Sequence, residues 1–121
     1  MERPELEKIL EKLKGLDIQR WRFIHEHVYS DDFLITETNG LRFSIFKRGS
    51  KGRMEDTLRY SVFVEDAGDE ITNNCFIEYT FDKKSKPQRE LLDKFYEKTL
   101  AALKGYKEKE IKEKLNNFVS E

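Results

Sequence analysis

Between two alternating runs, FLITET and LRFSIFK, stands Asn39-Gly40. Both residues accept the positive φ that a two-residue hairpin turn demands, so the pair predicts two antiparallel strands joined by a tight turn. In the second run Leu41, Phe43 and Ile45 alternate with Arg42, Ser44 and Phe46. Two further runs repeat the period of two. TLRYSVFVE puts Leu58, Tyr60, Val62 and Val64 on one face, and CFIEYTF does the same with Cys75, Ile77, Tyr79 and Phe81. Consecutive strands with short connections favour an antiparallel meander whose one face packs on helices.

Upstream, WRFIHEHVY reads two ways. As a strand it sets Trp21, Phe23, His25, His27 and Tyr29 on one face and Arg22, Ile24, Glu26 and Val28 on the other; as a helix it aligns Ile18, Trp21, Ile24 and Val28. Its aromatic and β-branched content favours the strand.

The ends carry the helical period. Leu6, Ile9, Leu10 and Leu13 make a narrow stripe, Pro4 suits a first helical turn, and Gly15 supplies a stop, which predicts a helix over 4–14. Ser85, with Gln88 three residues on, has capping-box spacing. Leu92, Phe95, Tyr96, Thr99, Leu100 and Leu103 then form a broad stripe. Gly105 is expected to kink or end this helix, leaving Ile111, Leu115 and Phe118 as the inner line of a second, heavily charged one. The expected fold is therefore α+β. An N-terminal helix precedes a four- to five-stranded antiparallel meander, with strands near 20–29, 33–38, 41–47, 57–65 and 74–82. A long C-terminal helix follows, in two parts at 86–104 and 107–118.

Its 121 residues suit one domain with one core, so 1–121 is expected to be a single domain. Charged residues reach 39%, but nine Phe, five Tyr and one Trp argue against disorder. A net charge of −1 speaks against nucleic-acid binding driven by overall charge. With one cysteine, Cys75, an intrachain disulfide and multi-cysteine zinc sites are excluded. MERPELEKIL has no signal-like apolar run and no segment approaches ~20 apolar residues, so a cytoplasmic protein without a membrane span is expected. The Lys- and Glu-rich charge is also a bias of proteins from hot environments.

Three candidate sites emerge. His25 and His27, two apart on a strand, would share a face, and Asp31 or Asp32 could complete a 2-His-1-carboxylate metal set, the centre of a small metal-dependent enzyme or nuclease. Against that, the shared face carries Trp21 and Phe23, which look like core. Paired with Tyr96 in KFYEKT, the histidine motif resembles nucleases that relax single-stranded DNA. Glu26 stands where their pattern has a hydrophobic residue, and Tyr96 fits the packing stripe.

Lys47, Arg48, Lys51 and Arg53 in KRGSKGRMED form a basic loop able to gather an anion or a nucleic-acid strand, but it lacks any nucleotide-binding fingerprint. The third candidate is the second face of the sheet. With Leu58, Tyr60, Val62, Val64, Ile77, Tyr79 and Phe81 toward the helices, Phe46, Phe63 and Phe76 fall opposite, with Leu34, Arg42, Arg59, Glu78 and Thr80. A solvated face should be polar at alternate positions, so this one is covered by the N-terminal helix, shared with another protein molecule, or used as a platform on which single-stranded nucleic-acid bases stack. For that last use two arginines and a glutamate make a poor basic surround. The function expected is a non-enzymatic protein-interaction domain (adaptor, chaperone-like or regulatory), acting as a homodimer or on a protein partner. No cofactor is implied.

Overall fold

The structure, a computed structural model, describes residues 4–25, 32–48, 59–68, 76–81 and 86–120. Its elements run α1 (Leu6–Lys14), a 3-10 turn (Ile18–Arg20), β1 (Trp21–His25), β2 (Asp32–Thr38), β3 (Leu41–Arg48), β4 (Arg59–Asp66), β5 (Phe76–Phe81) and α2 (Lys86–Ser120). The fold is α+β, with one five-stranded antiparallel sheet in the order β1-β2-β3-β4-β5. The ambiguous segment is thus a strand over Trp21–His25. Asn39 and Gly40 both carry positive φ, 53° and 74°, and join Thr38 directly to its partner Leu41. No described helix is long and apolar enough to cross a membrane.

α1 begins at Leu6 with Glu5 as its N-cap, so Pro4 lies just outside rather than in the first turn. Its leucine stripe docks by one face: Leu6, Leu10 and Leu13 are buried together with Trp21, Leu34, Ile45, Val62, Tyr79, Leu92 and Leu103. Each such side chain contributes on the order of 1.5–3 kcal/mol by leaving water.

The base of α2 packs on the same side. Tyr60 donates its hydroxyl to Asp93 Oδ1, Lys47 Nζ donates to Glu97 Oε1 at 2.8 Å, and Trp21 meets Phe95 edge-on at 5.8 Å. The Tyr79 hydroxyl donates to the Pro4 carbonyl at 2.6 Å, which fixes the approach to α1 on that side too. Both helices therefore share one layer and the sheet forms the other. Among the described residues, no helix covers the second face, which removes α1 as its cover.

The expected break at Gly105 is absent. α2 is one helix from Lys86 to Ser120. A glycine inside a helix costs about 0.5–1 kcal/mol relative to alanine, too little to interrupt a helix anchored on the sheet through its base. Beyond Gly105 the ion pairs Lys107–Glu110 (3.5 Å), Glu108–Lys112 (3.3 Å) and Glu110–Lys114 (3.3 Å) support the turns. The candidate cap Ser85 lies outside the described residues.

Candidate protein-interaction surface

Register decides what shares a face, because directly paired residues project to the same side. Ile45 pairs with Leu34 and Val62, and all three are fully buried beneath the helices. Leu34 was expected on the phenylalanine face and lies on the core face instead. The opposite face takes Arg22 and Ile24 from β1, Phe33, Ile35 and Glu37 from β2, and Arg42, Ser44 and Phe46 from β3. From β4 come Ser61, Phe63 and Glu65, and from β5 Phe76, Glu78 and Thr80.

On this face four rings form one row across β2 to β5. Phe33 stacks on Phe46 at 4.6 Å and 26°, Phe46 meets Phe63 edge-on at 5.3 Å, and Phe63 meets Phe76 at 5.2 Å and 65°. These separations fall in the favoured range for aromatic pairs. Ser44 and Ser61, between the rings, are buried, and Phe76 at the end of the row is 50% exposed. Phe46, Phe63 and Phe76 are thus brought together as the alternation implied. Phe33 and Ile35 join them in place of Leu34.

Arg42 borders the row and is held on three sides. Its Nε donates to Glu37 Oε1 at 3.0 Å, one terminal nitrogen to Glu65 Oε1 at 3.3 Å and the other to the Ala67 carbonyl at 3.4 Å. The Glu37 bond, helped by Glu65, raises its pKa above the ordinary arginine value. Arg59 lies in β4 opposite Arg48, with both side chains outside the described residues. With Glu37, Glu65 and Glu78 beside Arg22 and Arg42, the described border is of mixed charge.

The other candidates are placed differently. His25 pairs with Asp32 across β1 and β2, and its Nδ1 donates to Asp32 Oδ1 at the end of the core face. His27 and Asp31 lie outside the described residues, within which no group of three His, Cys, Asp or Glu side chains could hold a metal ion. Tyr96 is buried against Tyr60, their centroids 6.2 Å apart, as its packing stripe implied. Lys47 projects to the core face, where its Nζ bonds Glu97 and stands 6.0 Å and 5.8 Å from the rings of Tyr60 and Tyr96. Lys51 and Arg53 lie outside the described residues.

No family model, curated protein or solved structure matches the chain.

Proposed function

We propose that the chain is a non-enzymatic protein-interaction domain, of the adaptor, chaperone-like or regulatory kind, whose contact surface is the phenylalanine row. The observation that carries this reading is that Phe33, Phe46, Phe63 and Phe76 make one contiguous row on the side of the sheet away from both helices. The rings stabilise the sheet by packing on one another, and the row still ends in the half-exposed Phe76, an apolar patch of the kind that serves as a contact surface. An apolar centre inside a border of both charges is the usual composition of a protein-binding patch.

Stacking of nucleic-acid bases would need a surround of free cations. Arg42 is committed to two glutamates here, and Glu78 adds a further negative charge.

The test is a comparison of wild type with Phe76→Asp by partner capture and light scattering, with melting temperature as the control for folding. Loss of a captured protein, at an unchanged melting temperature, is the expected result. An identical set of partners and an identical mass would end the proposal. Native mass spectrometry of chelator-free protein addresses the metal-dependent reading: a bound divalent ion that His25→Ala removes would favour it.

A further inference from the structure

β1 is the outermost strand of the sheet. It pairs with β2 on one side, and among the described residues no strand pairs with the other. In an antiparallel ladder alternate residues turn their N–H and C=O groups to opposite sides, so every second residue of β1 presents its groups to this open edge. Beside the edge lies an open groove of about 690 Å³, lined by Arg22, Phe23 and Ile24 together. Neighbours on a strand project to opposite faces, so a groove that touches all three follows the edge rather than either face.

The far wall is one side of α2, where Leu100, Leu103 and Ile111 supply apolar surface. Leu103 is already buried, but Phe23, Ile24 and Leu100 are only partly so and Ile111 is 64% exposed, which leaves apolar area for an occupant. Helical rise puts Leu100 and Lys112 about 18 Å apart, close to the roughly 17 Å that the five residues of β1 span. The rim is cationic: Arg22, Lys104, Lys107 and Lys112 surround a single carboxylate, Glu108. Lys112 bridges Glu108 at 3.3 Å and Lys107 bridges Glu110 at 3.5 Å. Arg22 and Lys104 have no ion-pair partner among the described residues.

We infer that this groove receives an extended acidic peptide of another protein, which adds to the five-stranded sheet as a further strand beside β1. Main-chain hydrogen bonds to the open edge supply affinity whatever the peptide's sequence. Apolar side chains at every second position enter the groove against Phe23, Leu100 and Ile111. Carboxylates between and beyond them meet Arg22 on one rim and Lys104 on the other, which selects an acidic partner over a basic one. No ring of the phenylalanine row lies in either wall, so the inference does not rest on the function proposed above.

A phage-displayed library of random decapeptides, selected on the full chain, tests this. The enriched peptides are expected to be acidic and to carry apolar residues at alternate positions. A synthetic copy of one, read by fluorescence anisotropy, should bind Arg22→Glu/Lys104→Glu at least about tenfold more weakly than wild type, and Phe76→Asp as tightly as wild type. Both substituted side chains are exposed, so melting temperature should hold. Hydrogen exchange reads the added strand itself: edge-facing amides within Arg22–His25 should slow once peptide is bound. A library that yields no binder overturns the inference, as do binders whose apolar residues follow a helical period. Binding that Arg22→Glu/Lys104→Glu leaves intact, or that leaves exchange in β1 unchanged, overturns it too. Binders lost to Phe76→Asp alone would belong to the phenylalanine row and count equally against the groove.

Discussion

Tyr60 and Asp93 tie the middle of the sheet to the base of α2: the phenol hydroxyl donates to the carboxylate while the ring is wholly buried. Burial first, and then the Asp93 bond, pushes the Tyr60 phenol well above the ordinary tyrosine range. Burial, with Asp32 and Glu97 nearby, does the same to Tyr96.

The pH dependence follows from those directions. Unfolded tyrosine ionises near about pH 10, whereas the folded phenols hold their protons to higher pH. The stability they contribute is therefore fully present below pH ~10 and is lost as pH rises above it, at about 1.4 kcal/mol per pH unit for each tyrosine. Urea denaturation at stepped alkaline pH checks this. Tyr60→Phe is expected to flatten the alkaline slope, and to cost about 1 kcal/mol at neutral pH through the lost hydroxyl bond.

Phe33 and Leu34 are chain neighbours on opposite faces, so they separate core from contact surface. Leu34→Ala should cost about 2–5 kcal/mol because the site is fully enclosed. Phe33→Ser should cost clearly less, since it loses a stacked partner on the face away from the helices. Chemical denaturation of both variants decides this, and the reverse order would put the register of β2 in error.

Gly105→Ala should stabilise the chain by about 0.5–1 kcal/mol. A Cβ built there meets no atom within 4 Å, and the residue sits inside a continuous helix. A fall in melting temperature would contradict the unbroken course of α2.

A chain ending at Tyr106 should keep its sheet and its core, because Leu92, Tyr96 and Leu103, the buried residues of α2, all precede that point. Its melting temperature is expected within about 4 °C of the full chain's, the equivalent of 1 kcal/mol or less. A larger fall would mean that the distal turns hold the core.

Much of this was legible because the signals were local. Asn39-Gly40 announced the β2–β3 turn, and period-two alternation placed Phe46, Phe63 and Phe76 together. The misplacement of Leu34 had a remedy in the same turn: counting back from Thr38 opposite Leu41 sets Phe33 against Phe46 and Leu34 against Ile45. Which side α1 takes was not legible, since a leucine stripe says that a helix docks and not on which face. Continuity through Gly105 was hidden for a related reason. Propensity favoured a break, while the anchoring contacts of Tyr60, Lys47 and Trp21 with α2 come from strands far away in sequence.

The meander order also sets the tempo of folding. Every strand pairs with its neighbour in the chain, so the sheet assembles by closing loops between adjacent segments, each at little entropic cost. Contacts that span the chain, such as the Tyr79–Pro4 and Tyr106–Gln19 hydrogen bonds, close far longer loops and are expected to form later, as the helices dock. Substitutions at the helix–sheet seam should therefore quicken unfolding, and those in the β2–β3 hairpin should slow folding.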